Sequence, residues 1–84
     1  MDFQKLNLEF SNMQLMIEKY NKLLLDINNK IKSNSKDINK YENKLKNVKS
    51  TLEEESYHFI VVVLKSENAF LENIIKEDNS NANN

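Results

Sequence analysis

The sequence predicts an all-α chain built for coiled-coil packing, and three observations lead there. Apolar residues recur at Phe3, Leu6, Phe10, Met13, Ile17, Tyr20, Leu24, Ile27 and Ile31, in alternating steps of three and four. After the polar Asn34 the same phase returns at Ile38, Tyr41, Leu45, Val48 and Leu52, and again at Phe59 and Val62. A 3.5-residue period held this long keeps the a and d side chains on one side of a helix, where a partner helix can cover them. Second, there is no Gly and no Pro, so the usual residues that punctuate helices are missing. Third, no stretch carries an all-β or α/β pattern. The chain reads as one helical domain over 1–76 with a disordered tail over 77–84. It is either a long coiled-coil helix or a two-helix hairpin with a break near 33–36.

With 84 residues there is room for one domain at most. An extended helix has no interior of its own, so other chains are expected to cover the seam. The absence of Cys leaves no disulfide framework and no thiolate site, which fits a reducing compartment. No charged n-region followed by a small-residue cleavage site marks a signal peptide. The longest apolar run, Phe59 to Leu64, is far too short to span a bilayer. The expectation is a soluble, intracellular protein with no membrane insertion. Every basic residue is Lys and Asn is abundant, which an A- and T-rich genome accounts for without a functional cause.

Residues 2–32 form the first expected helical segment. Its apolar face is wide: Met16 and Leu23 at g, Leu8 and Leu15 at f, and Leu25 at b add to the a/d seam. Such a stripe suits a helix with more than one neighbour, as in a bundle. Glu18–Lys22 and Asp26–Lys30 are i,i+4 pairs in the favourable order.

Ser33, Asn34 and Ser35 form the only plausible break before the tail, because their side chains compete for backbone hydrogen bonds, but a straight or gently bent helix through them is slightly preferred. The alternative is an unbroken helix in which Asn34 is a polar d residue that fixes register at some cost in stability. The unbroken phase favours that alternative slightly, and the polar cluster favours the hairpin. Residues 36–50 carry only the narrow seam. A parallel homodimer would set Asp37 against Glu42 and Lys44 against Lys49, both like-charge contacts. That argues for a different partner or an antiparallel one.

Ser50 with Glu53, or Thr51 with Glu54, fits a capping box, balanced evenly against a continuing helix. The run Tyr57–Leu64 is rich in β-branched residues and could be a buried strand. It has no strand partner in the chain, so it reads as helix. There the stripe moves by about one position, to Ile60, Val63, Phe70 and Ile74. The run is apolar nearly all round and is expected at the most buried point of an assembly. Val62→Asp is expected to abolish assembly, and Lys46→Asp to be nearly silent.

The chemistry is sparse. One His, no Cys, no Gly-rich loop and no paired nucleophile and base leave no catalytic constellation, so no enzyme and no cofactor are expected. His58 reads as an interface residue, and Glu53, Glu54 and Glu55 as a solvated acidic face rather than a metal site. Residues 28–50 are rich in Lys and 51–78 in acids. This polarity orients neighbouring helices more readily than it binds nucleic acid, given a net charge of −1 and no Arg.

One stretch resembles a family. Glu42-Asn43-Lys44-Leu45, then Val48, Leu52 and Tyr57 with Ile60, is similar to the signature of the small Dad-type subunits of the fungal DASH ring, nearest the third. Upstream, Glu18-Lys19-Tyr20-Asn21-Lys22-Leu23 resembles that family's acidic-x-Tyr-Asn-x-Leu element. Glu53-Glu54-Glu55 stands where the family has a basic residue and small residues, and the family's N-terminal Ser-Pro is missing. The resemblance implies a helical scaffold subunit of a heteromeric complex that couples kinetochores to spindle microtubules. Microtubule contact would then be indirect, through the assembled ring, and the protein would sit in the nucleus at kinetochore and spindle; otherwise it would be cytoplasmic.

The expected partners are therefore other helical subunits, with no small-molecule substrate and no nucleic acid. The expected interface anchors are Phe10, Ile17, Tyr20, Leu24, Ile27, Ile38, Tyr41, Leu45, Val48, Leu52, Tyr57, Ile60 and Val63, because large side chains at seam positions carry most interface energy. The rival readings are a subunit of a membrane-trafficking or tethering complex, and a self-associating structural coiled coil.

Overall fold

The computed structural model describes the backbone of residues 2–82 and the side chains of residues 2–79. Helix α1 runs from Phe3 to Leu45 and helix α2 from Thr51 to Ala82. They pack antiparallel, giving a rod of 74 × 24 × 15 Å. The hairpin is there, but its turn is at 46–50 and not near 33–36.

Helix α1 starts where Asp2 caps it. Asp2 Oδ1 accepts from the backbone N–H of Gln4 at 3.0 Å and of Lys5 at 3.3 Å, which satisfies two donors with no partner inside the helix. The helix passes straight through Ser33, Asn34 and Ser35. Their side chains do not turn the backbone, because Asn34 and Ser35 find partners on α2 instead.

Helix α1 ends without Gly. Its last turn tightens: Lys46 N–H donates to Asn43 C=O at 3.2 Å and Asn47 N–H to Lys44 C=O at 3.1 Å. Lys44 in that turn faces the negative end of the helix dipole. Helix α2 opens on Ser50, whose Oγ accepts from Glu53 N–H at 3.1 Å. The Glu53 carboxylate reaches back to Lys49 N–H at 3.5 Å, one residue earlier than in a standard capping box.

The turn resets the heptad phase, because its five residues do not add a helical repeat. The shielded stripe of α2 is Tyr57, Ile60, Val61, Leu64, Asn68, Leu71, Ile74 and Ile75. Leu52, Phe59 and Val62, which continue the α1 seam in sequence, are exposed. Val61 is buried instead of Val62. The backbone of α2 stays helical to Ala82. Of the tail expected over 77–84, Asn83 and Asn84 lie outside the described residues.

Candidate assembly surface

The hairpin is fastened at mid-length by amides. Asn34 is 1 % exposed and Asn68 7 %. Asn34 Nδ2 donates to Asn68 Oδ1 at 3.0 Å and to Glu67 Oε1 at 2.9 Å. Asn68 Nδ2 donates to Ser35 Oγ at 3.2 Å and to the Ile31 carbonyl at 3.3 Å. Lys30 Nζ stands 3.8 Å from the same Glu67 oxygen. Among the described residues no buried side-chain polar atom lacks a partner. A satisfied polar layer of this kind fixes register, since any slip would strand the amides.

Nearer the turn, Tyr41 and Tyr57 meet with ring centroids 5.6 Å apart. Lys44 Nζ lies 5.3 Å from the Tyr41 ring and 5.6 Å from the Tyr57 ring, within cation–π range. Tyr57 Oη donates to Glu53 Oε1 at 3.1 Å. That hydrogen bond, partial burial and the charges of Glu53 and Tyr41 together hold the Tyr57 phenol above its ordinary value. Glu42 and Lys65 pair across the helices at 3.0 Å. The charge pattern of 36–50 thus meets an antiparallel partner within the same chain. His58 is exposed, 3.9 Å from Glu54.

The expected anchors divide into two sets. Leu24, Ile27, Ile38, Tyr41, Leu45, Val48, Tyr57 and Ile60 are half-buried along the hairpin seam, so α2 and α1 cover them for each other. Phe10, Ile17, Tyr20, Leu52 and Val63 are exposed. They belong to two apolar surfaces that the hairpin leaves open.

The first surface is the free arm of α1. With Asn34 level with Asn68, ten residues outward on each antiparallel helix sets Leu24 level with Asp78, and four more set Tyr20 level with Ala82. Among the described residues, none of α2 therefore lies opposite residues 3–19. Phe3, Leu6, Leu8, Phe10, Met13, Leu15, Met16, Ile17, Tyr20, Leu23 and Leu25 are all exposed on this arm and its root. The second surface is the back of α2. Leu52, Phe59, Val63 and Phe70 follow one another in steps of seven, four and seven, on the face opposite Val61, with Val62 beside them.

No family model, curated protein or solved structure matches the chain. The open surfaces themselves therefore carry the functional argument. The hairpin's own core is meagre: among the described residues only Val61 is a buried apolar residue. The two exposed apolar patches are the candidate sites of association. Among the described residues no helix is long and apolar enough to cross a membrane. No group of three or more His, Cys, Asp or Glu among them is arranged to hold a metal.

Sequence reasoning missed two things. Asn68 was not legible, because the stripe it shares with Val61, one heptad before it, is fixed only once the turn is placed. The outward stripe of α2 was hidden because Val63 and Phe70 were read on one shielded stripe with Ile60 and Ile74, whereas the structure shields Ile60 and Ile74 and exposes Val63 and Phe70.

Proposed function

We propose that the chain is a non-enzymatic helical subunit of a hetero-oligomeric coiled-coil complex. The observation that carries this reading is the apolar arm of α1 together with the apolar back of α2, on a hairpin whose own seam is already filled. One surface continues the seam past α2 and the other faces away from it, which gives the chain room for more than one helical neighbour. The DASH ring is the named candidate, on the strength of Glu42–Leu45, Val48, Leu52, Tyr57 and Ile60 and of Glu18–Leu23. In that setting the hairpin is scaffold, and microtubule contact belongs to the assembled ring.

The test is affinity capture of the tagged full chain from its own cells, with imaging in dividing cells. The expected result is a fixed set of other helical chains in stoichiometric amounts, lost from Phe59→Asp, with the tag at kinetochores and spindle. A tag at organelles would move the reading to a tethering complex. Recovery of the chain alone as a stable monomer would refute a subunit role.

A further inference from the structure

We infer that the free arm of α1 is a self-recognition element, and that its occupant is the arm of a second copy lying antiparallel to it about a two-fold axis. The inference rests on the assembly reading and names one partner within it.

Continuity is the first support. The arm's seam, Phe3, Leu6, Phe10, Met13, Ile17 and Tyr20, is the same stripe that α2 covers further along at Leu24, Ile27 and Ile31. That cover is antiparallel, and its described residues reach the level of Tyr20. A second copy's α1, antiparallel and beginning at that level, would continue the track that α2 leaves. The whole α1 seam would then face one unbroken line of antiparallel helix.

Register is the second. Antiparallel coiled coils set a positions against d positions. The arm's steps of three, four, three, four and three read the same in reverse, so the stripe is its own complement. Phe3 falls opposite Tyr20 of the second copy, Leu6 opposite Ile17, and Phe10 opposite Met13. Each layer occurs twice by symmetry. The layers match in kind: aromatic on aromatic, aliphatic on aliphatic, and a thioether on a ring, all favourable pairings. The register takes in Phe3 to Tyr20, so the incoming helix begins where the described part of α2 ends.

Charge is the third. In this register Asn7 faces Gln14 and Glu9 faces Met16, so no like charges meet at the flanks. A parallel pairing of arms would instead bring both α2 helices to the same end, where they compete for space. The like-charge pairs of 36–50 do not arise in the two-fold arrangement, since that segment lies outside the arm and runs alongside α2 of its own hairpin. The back of α2 stays open for foreign subunits.

The experiment uses the full chain, which has no native Cys, carrying both Leu6→Cys and Ile17→Cys. Within one helix these positions are too far apart to join: eleven residues span ~16 Å, and a disulfide needs Cα atoms within ~7 Å. Mild oxidation should give a covalent dimer in which peptide mapping finds the cysteine introduced at position 6 joined to the one introduced at position 17. Native mass by light scattering should show a dimer for the unmodified chain, and a Phe10→Glu variant should be a monomer with the hairpin's helicity kept. A helical monomer at every concentration, 6–6 and 17–17 disulfides, or a dimer indifferent to Phe10→Glu would each overturn the inference. Capture of foreign chains by a protein that never dimerises would sink this inference and leave the hetero-oligomer reading standing. An antiparallel dimer that captures nothing would do the reverse.

Discussion

Asn34 and Asn68 hold the hairpin in register, and their removal separates two effects. Asn34→Leu alone leaves the Asn68 amide and Glu67 short of a partner, and should lower stability by ~1–3 kcal/mol. Replacing both Asn34 and Asn68 by Leu removes the stranded group and should recover most of that loss. Thermal unfolding followed by circular dichroism on both single variants and the double gives the coupling directly. Tyr57 offers a second residue-level test. Its phenol is held above ~10 chiefly by the hydrogen bond to the Glu53 carboxylate. The contact's contribution to stability is full below that pH and is lost as pH rises through the raised value. Tyrosinate absorbance, read as the difference between the native chain and Tyr57→Phe, should show Tyr57 titrating above the ordinary tyrosine value; Glu53→Gln should bring it down. Of these residues, Asn34 was legible in sequence as a buried seam amide. Its partner was not, because heptad phase does not survive a turn of unknown length.

At the scale of elements, the turn explains most of the difference between sequence and structure. Ser33-Asn34-Ser35 looks like a break because its side chains favour turns, yet two of those residues spend their hydrogen bonds on α2. The real turn, 46–50, has neither Gly nor Pro, and Val48 keeps the apolar period running through it. Only Ser50 and Glu53 announced it, and the resulting cap is real. Ser50→Ala should cost ~0.5–2 kcal/mol in thermal unfolding. Lys46 is not a neutral surface position but the C-cap of α1. Lys46→Asp sets an acid at the negative pole and should cost ~0.3–1 kcal/mol. The neighbours Val61 and Val62 separate folding from association. Val61→Asp buries a charge in the hairpin and should abolish helicity. Val62→Asp should leave helicity intact and weaken binding on the back of α2. Circular dichroism and co-purification on the same pair decide it.

For the whole molecule, the all-α class and the coiled-coil period were legible at once. The division of labour along the seam was not, because a periodicity states which side is covered and never by whom. Most of the expected anchors turn out to face the chain's own other helix. What remains outside is large compared with what is inside, so stability should depend on association. The unfolding midpoint should rise with protein concentration, because binding the folded form draws the equilibrium toward it. A concentration-independent midpoint would mean the hairpin stands alone.

Helix α1 is one uninterrupted element, yet only its distal half is held by α2. Starting a helix is the expensive step and lengthening it is cheap, and an isolated helix of the arm's length is marginal in water. The clasped half therefore acts as the seed from which the arm grows, turn by turn, toward Asp2. A partner meets a docking surface that is already ordered, and much of the entropy of ordering it has been met before contact. Loosening the Asn34 clasp should then fray a binding surface tens of ångströms away, with no residue of that surface altered.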